Sequence, residues 1–425
     1  MTEAPSFAVE VDLNPYLAAD ATDVDAIVTI TAEGGARPGT DCLEILIIDC
    51  STSMTGSRIA AARHATSVAI GELRDGVSFA VIAGNQDAEQ VFPPGGGTAV
   101  ATEATRTEAS AAVQGLTPSG GTAIGRWLTM AGTIADAHPD AIRHAILLTD
   151  GKNEHETEAE LRAALARVEG RFACDCRGVG TDWRVDELRT IASALLGSVD
   201  IVADPDDLAA DFGAVMNAAM GKAVADIALR LWTPRDATVR FVKQVAPTVE
   251  DLTARRHRLD PLRGQYPLGS WGAESRDYHL GIRVEPGAVR DEKLAARVQV
   301  VQADSDEVLA TGKAVVTWTN DSALSTRINR AVASYTGQAE LADAIQQGLA
   351  ARKDGDERTA TARLGRAVAL AEQSGNTDTA RLLGRVVEVV DAPTGTVRLR
   401  KTVSAEDEMT LDTRSTKTVR VRPKA

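Results

Sequence analysis

Three short stretches of this 425-residue chain place oxygen donors in loops that follow apolar runs. Asp49-Cys50-Ser51-Thr52-Ser53 follows Ile45-Leu46-Ile47-Ile48, Thr122 closes Pro118-Ser119-Gly120-Gly121-Thr122, and Asp150 follows Ile146-Leu147-Leu148-Thr149. A short apolar run ending in a polar turn is what a buried parallel strand looks like where it leaves the carboxyl edge of its sheet. In an open α/β sheet that edge binds ligands where strand order reverses, so Asp49 and Asp150 meet there if their strands are neighbours. The hydroxyls of Ser51, Ser53 and Thr122 would then complete a shell. Hydroxyl, carboxylate and water oxygens select a hard octahedral cation, Mg²⁺ or Mn²⁺, over zinc, which prefers nitrogen and sulfur. Few protein charges would touch such an ion, which leaves it electrophilic, with a position free for a carboxylate supplied by another molecule.

Asp49-x-Ser51-x-Ser53, Thr122 and Asp150, in that order, resemble the metal-ion-dependent adhesion site of a von Willebrand factor A domain. The resemblance spans roughly residues 41 to 220. It implies that Asp49, Ser51, Ser53 and Thr122 surround the ion, that Asp150 acts directly or through water, and that the ligand is a protein offering an acidic residue. Helix capping at strand ends would explain each Ser or Asp singly; it does not explain three pieces in this order.

The elements that must position these residues can be read independently. Ile59, Ala62, Thr66, Ala69 or Ile70 and Leu73 recur at helical spacing after the first loop. Strands are expected at 77–83, near 90–92, at 172–179 and at 199–202, and helices at 106–114, 124–135, 158–168 and 185–195. A last helix begins with Asp204 as N-cap and Pro205 at its first position, turns Leu208, Phe212, Val215 and Ala219 to one side, and ends near Gly221. Alternating strands and helices predict a doubly wound, mostly parallel, Rossmann-like α/β sheet.

On either side of this region the period changes to two. Residues 7–11, 26–30, 227–231, 239–242, 278–284, 296–300 and 314–318 alternate or nearly so, which predicts an antiparallel β-sandwich built from both flanks. The expected order is sandwich strands over 1–37, the inserted α/β domain over 38–221, the rest of the sandwich over 222–320, a small helical bundle over 321–390 and a flexible Thr-rich tail over 391–425. Residues 348–367 are similar to one degenerate tetratricopeptide hairpin, but a solenoid needs about three repeats, so a plain bundle is expected. In the tail, Glu406-Asp407-Glu408 precedes Thr410 and Thr413, which reads as a solvated end or, more sharply, as a phosphorylation segment.

A net charge of −14 argues against nucleic acid and against anionic membranes as partners. The amino terminus has no signal-peptide pattern, no run is long enough to span a membrane, and Cys42, Cys50, Cys174 and Cys176 have neither metal spacing nor obvious disulfide partners. Reduced buried thiols and a cytoplasmic location are expected. Enzymatic patterns fail: Gly95-Gly96-Gly97-Thr98 lacks the Lys of a phosphate loop, and His155-Glu156 lacks the second histidine of a zinc protease. The chain as a whole is similar to cytosolic actinobacterial von Willebrand A proteins, which implies a setting beside Ser/Thr kinases and phosphothreonine-reading forkhead-associated proteins. The expectation is a non-catalytic, metal-dependent protein-binding scaffold in intracellular signalling. The alternatives are a substrate-recruiting subunit of a chelatase or MoxR-type AAA+ ATPase and, with less support, a Mg²⁺-dependent hydrolase.

Overall fold

The strand Cys42–Asp49 is buried at every position, because parallel strands flank it on both sides and helices cover both faces. That is why its sequence is a continuous apolar run without alternation. Leu46, Ile48 and Cys50 share one face with the helices Ser57–Glu72 and Leu208–Met220. The opposite face is covered by the helix Ile124–Ala135, whose Trp127 ring lies directly over Gly84. In the computed structural model, which describes residues 5–35 and 40–420, the sheet order is Val199–Val202, Ala173–Val179, Ile142–Thr149, Cys42–Asp49, Ser78–Gly84 and Ala88–Phe92, with Ala99–Val100 also paired to Ser78–Gly84. All neighbours are parallel except the two short strands beside Ser78–Gly84. From the central strand the chain moves first towards residues 78–92 and then returns to the other side at Ile142–Thr149, so strand order reverses between the strands that end at Asp49 and at Thr149, next to Asp150.

Local signals account for several helix starts. Thr157 and Glu160 form a capping box before Glu158–Val168. Asp204 accepts a hydrogen bond from the Asp206 amide at 3.0 Å, and Pro205–Asp207 form a single 3₁₀ turn before the helix proper, which ends at Gly221. The chain divides into two compact units, one running from Gly35 to Ala225 and the other joining the segment before it to the segment after it. The expected junction at 37/38 lies outside the described residues.

In the second unit the expected alternating strands form two antiparallel-rich sheets. One has the order Ser6–Leu13, Asp23–Glu33, Glu274–Val284, Ala237–Ala246 and Glu250–Asp251. The other has the order His257–Arg258, Arg263–Gly272, Lys222–Trp232, Glu292–Gln302, Val308–Thr319 and Tyr16–Ala18. Val24, Ile282 and Val284 from the first sheet share a core with Ala296, Val316 and Trp318 from the second. The strand Arg263–Gly272 was not anticipated, since Gly264, Pro267 and Gly269 interrupt its pattern, yet Tyr266, Leu268 and Trp271 are buried.

The helical segment contains Arg330–Lys353, Glu357–Ser374 and Thr377–Val386, and it does not end where the bundle was expected to end. A hairpin, Val387–Asp391 with Thr396–Leu399, and a further helix, Ala405–Arg414, join the same core through Val387, Val397 and Leu411. The expectation of a flexible tail is therefore corrected over its described part. Glu406-Asp407-Glu408 is the first turn of a helix capped by Ser404, where acidic residues are favoured by the exposed amides and the helix dipole. Thr410 and Thr413 turn inward, with exposures of 8% and 1%, so neither is an accessible phosphoacceptor in the folded chain. After the helix, the Val249 amide donates to Thr416 O at 2.8 Å and Thr418 Oγ1 donates to Val245 O at 2.7 Å, which pins the chain to the sandwich, and Gln338 of the helix Arg330–Lys353 binds both backbone groups of Val419.

Candidate functional site

Asp49 closes the central strand, fully buried, and one carboxylate oxygen accepts from the Ser51 amide at 2.7 Å while the other accepts from Thr149 Oγ1 at 2.5 Å. Ser51 precedes a single 3₁₀ turn, Thr52–Met54, that folds Ser53 back over the strand end. As a result Ser51 Oγ and Ser53 Oγ lie 2.9 Å apart, and Ser53 Oγ donates to Asp150 Oδ1 at 2.6 Å. Thr122 arrives from the other loop. A methyl placed on Gly151 would lie 3.3 Å from both Ser53 Oγ and Thr122 Oγ1 and 3.9 Å from Asp49 Oδ2, so oxygens from three segments converge on one point. The fold thus brings together all five residues singled out in the sequence. Asp49, Ser51, Thr122 and Asp150 are buried and Ser53 is exposed; Ser51, Ser53 and Thr122 line a shallow pocket of about 290 Å³.

The donor chemistry fits a hard divalent cation. Every converging group is a hydroxyl or carboxylate oxygen, and no group of three or more His, Cys, Asp or Glu among the described residues is arranged to hold a metal ion, so a cation here would depend on the hydroxyls. The two carboxylates differ in countercharge. Arg58 Nη1 donates to Asp150 Oδ2 at 2.6 Å, with its Nη2 on Asp182 at 2.8 Å. No ion pair reaches Asp49 among the described residues. Burial pushes its carboxyl up to about 6, against the downward pull of hydrogen bonds from Ser51 and Thr149.

Several supporting residues escaped the sequence reading. Arg58 neutralises Asp150, and Thr149 orients Asp49. His155 Nδ1 accepts from the Thr122 amide at 3.2 Å and the His155 amide donates to Thr122 O at 3.0 Å, tying the Thr122 loop to the loop after Asp150. Gln86 Oε1 accepts from the Gly121 amide at 2.8 Å. Gly121 has room for no Cβ, which would lie 2.0 Å from the His155 ring. Arg58 alone had a local signal, as it stands five residues after Ser53 at the start of a helix; the others act across loops distant in sequence. The five other histidines bear no relation to the site. His144, for instance, lies buried between Glu44 and Asp175, at 2.6 and 3.0 Å, near the strand starts.

Comparison with known proteins identifies the fold family. A von Willebrand factor type A domain model matches residues 44–201, and a von Willebrand factor type A C-terminal domain model matches residues 369–415. A von Willebrand factor type A structure from Catenulispora acidiphila is 51% identical, with 99% of this chain and 98% of that one covered and a TM-score of 0.95. This chain belongs to the von Willebrand factor type A family. The structure of the ArnB paralog VWA2 from Sulfolobus acidocaldarius shares the fold at 14% identity, with 96% of this chain and 97% of that one covered and a TM-score of 0.60. An uncharacterized protein of Synechocystis sp. is 27% identical over 217 residues, and the chain spans about half the length of that curated relative. The matched C-terminal model covers the helix that carries Thr410 and Thr413, so that segment is a family element. The family is one of protein-interaction and adhesion scaffolds. The four cysteines of this von Willebrand A protein are free and buried, and no helix among the described residues is long and apolar enough to cross a membrane.

Proposed function

We propose that this von Willebrand A protein is a non-catalytic cytoplasmic scaffold that binds a protein partner through a divalent cation, Mg²⁺ or Mn²⁺, held by Asp49, Ser51, Ser53 and Thr122 with Asp150 behind them. The observation that carries the reading is the convergence of Ser53, Thr122 and Asp49 oxygens on the point above Gly151. A bound cation would supply one electrophilic position for a partner's carboxylate. The chain's own residues do the rest. Arg58 cancels the charge of Asp150, leaving Asp49 as the carboxylate of the two without a countercharge, which lowers the negative charge an added anionic ligand would meet. Thr149 and the Ser51 amide hold Asp49 in one orientation, and His155 and Gln86 hold the Thr122 loop. With Thr410 and Thr413 buried, the partner is a protein that offers an acidic residue at the strand edge, not a reader of a phosphorylated tail.

The test is a titration with Mg²⁺ and Mn²⁺ followed by calorimetry and thermal melting. Wild type should bind one ion per chain. Asp49→Ala should lose binding and Asp150→Ala should weaken it, both retaining the fold because the site is peripheral to the cores. A thermal response to Mg²⁺ that is unchanged in Asp49→Ala would reject the assignment.

A further inference from the structure

Arg58 stands in the first turn of the helix Ser57–Glu72, directly after the loop that carries Ser51 and Ser53. Its guanidinium spans two acids of opposite exposure. Nη1 donates to Asp150 Oδ2 at 2.6 Å and Nη2 to Asp182 Oδ2 at 2.8 Å, yet the Asp150 side chain is fully buried and that of Asp182 is 62% exposed. Water screens the outer pair, so Asp182 holds Arg58 in place more than it neutralises it, and the positive charge is felt mainly by Asp150.

The second oxygen of Asp150 accepts from Ser53 Oγ at 2.6 Å. One buried carboxylate therefore links the guanidinium to a hydroxyl of the cluster over Gly151. Ser53 gives its only proton to Asp150, so what it offers to an ion is its lone pairs. With Asp150 cancelled, the inner part of the site carries the charge of Asp49 alone. Lys152 and Glu154, at the pocket wall, are exposed and opposite in sign, so they add little net field. Mg²⁺ gives up its waters reluctantly. Neutral hydroxyls and a single net negative charge offset that dehydration poorly.

We propose that Arg58 makes cation and partner binding interdependent: by cancelling Asp150 it leaves the site one carboxylate short, so the chain alone holds the ion weakly and a partner's carboxylate completes the site. The proposal rests on the cation reading of the preceding subsection. Arg58 is a positioning residue in this scheme, acting on the ion through Asp150. By linkage, the factor by which the partner's acid tightens the ion is also the factor by which the ion tightens the partner. A neutral side chain at 58 would return the charge of Asp150 to the site and loosen that dependence, whereas lysine would go on cancelling it.

The test is calorimetric titration of the full chain with Mn²⁺ alone, in chloride and in acetate of equal ionic strength, plotted against free Mn²⁺ and accompanied by melting curves. Arg58→Met should bind Mn²⁺ at least about tenfold more tightly than wild type, because a unit charge beside a half-buried divalent ion is only partly screened. Without metal it should melt below wild type, since Asp150 is then buried unpaired, and Mn²⁺ should raise its melting temperature by more than that of wild type. Arg58→Lys should bind like wild type. Acetate, standing in for a partner's carboxylate, should tighten Mn²⁺ on wild type about twofold or more by mass action, and on Arg58→Met by less. The acetate comparison on wild type holds even if Arg58→Met does not fold. Equal or weaker binding in Arg58→Met, equal tightening in Arg58→Lys, or a wild-type affinity that acetate leaves unchanged overturns the role of Arg58; if Asp49→Ala still abolishes binding, the cation site stands. Mn²⁺ binding that survives Asp49→Ala overturns the cation site and this proposal with it.

Discussion

Replacing Gly151 with alanine separates the integrity of the site from that of the fold. The backbone of Gly151 lies outside the left-handed region, so alanine meets no conformational penalty there. The new methyl would stand 3.3 Å from Ser53 Oγ and from Thr122 Oγ1 and 3.9 Å from Asp49 Oδ2. The first two distances are a few tenths of an ångström too short, which belongs at the low end of the ~1–3 kcal/mol typical of overpacking. Reduced freedom of the unfolded chain returns about 0.4–1 kcal/mol. The net loss should therefore be no more than about 1 kcal/mol, a fall of roughly 2–4 °C in melting temperature for a unit of this size. The same methyl fills the space bounded by the three oxygens, so calorimetric Mn²⁺ binding should weaken by at least about tenfold, or ~1.4 kcal/mol. Melting curves with and without Mg²⁺, read beside the titration, distinguish the two effects. A Gly151→Ala protein with full wild-type metal response would refute the convergence of these oxygens as the basis of a cation site.

Three further outcomes follow from the packing. His144 sits between Glu44 and Asp175; burial alone would lower its pKa, but the two carboxylates outweigh it and hold the imidazole at about 10. A folded-state value above the unfolded one means that this stabilisation is complete below about pH 6.5 and lost as pH climbs through about 10. His144→Gln should thus cost on the order of 3 kcal/mol in urea unfolding at pH 7 and much less at pH 10.5, and equal losses at both would contradict the assignment. Thr413 Oγ1 is buried without a hydrogen-bond partner, so Thr413→Val should be neutral or stabilising by up to about 1 kcal/mol; a clear loss in chemical denaturation would show that the hydroxyl is satisfied. Removing the segment before Gly35 strips Asp23–Glu33 from its pairing with Glu274–Val284, and hydrogen exchange in the latter strand should rise sharply. Unchanged protection there would mean that the sheet does not depend on the amino-terminal strands.

The parts of the molecule that could be read in advance are those whose physics is local. Ile45–Ile48 and Ile146–Leu148 read as buried parallel strands because helices cover both sides of their sheet. Asp204 with Pro205 marked a helix start because a cap contacts amides only two residues away. Arg263–Gly272 was missed because glycines and a proline hide a strand whose alternate residues are nonetheless buried. The acidic run before Thr410 was misread because three acids followed by threonines have the same composition in a solvated tail and in a helix's first turn. Only the burial of Leu411 against the helical core separates the two.

By itself the sequence determined the donor types of the candidate site, oxygens at Asp49, Ser51, Ser53, Thr122 and Asp150, and a strand-to-loop setting for the two aspartates. It also determined the change of period that divides the parallel sheet from the sandwich. Only the tertiary structure decided that the strands of Asp49 and Asp150 are neighbours at a reversal of strand order, and that Arg58 cancels Asp150 while Asp49 stays unpaired. Propensity, capping and period act within a few residues, and so leave their record in the order of the chain. Charge pairing and cavity shape depend on atoms brought together from positions such as 58 and 150, or 86 and 121, and that proximity is set by the sheet on which both loops stand.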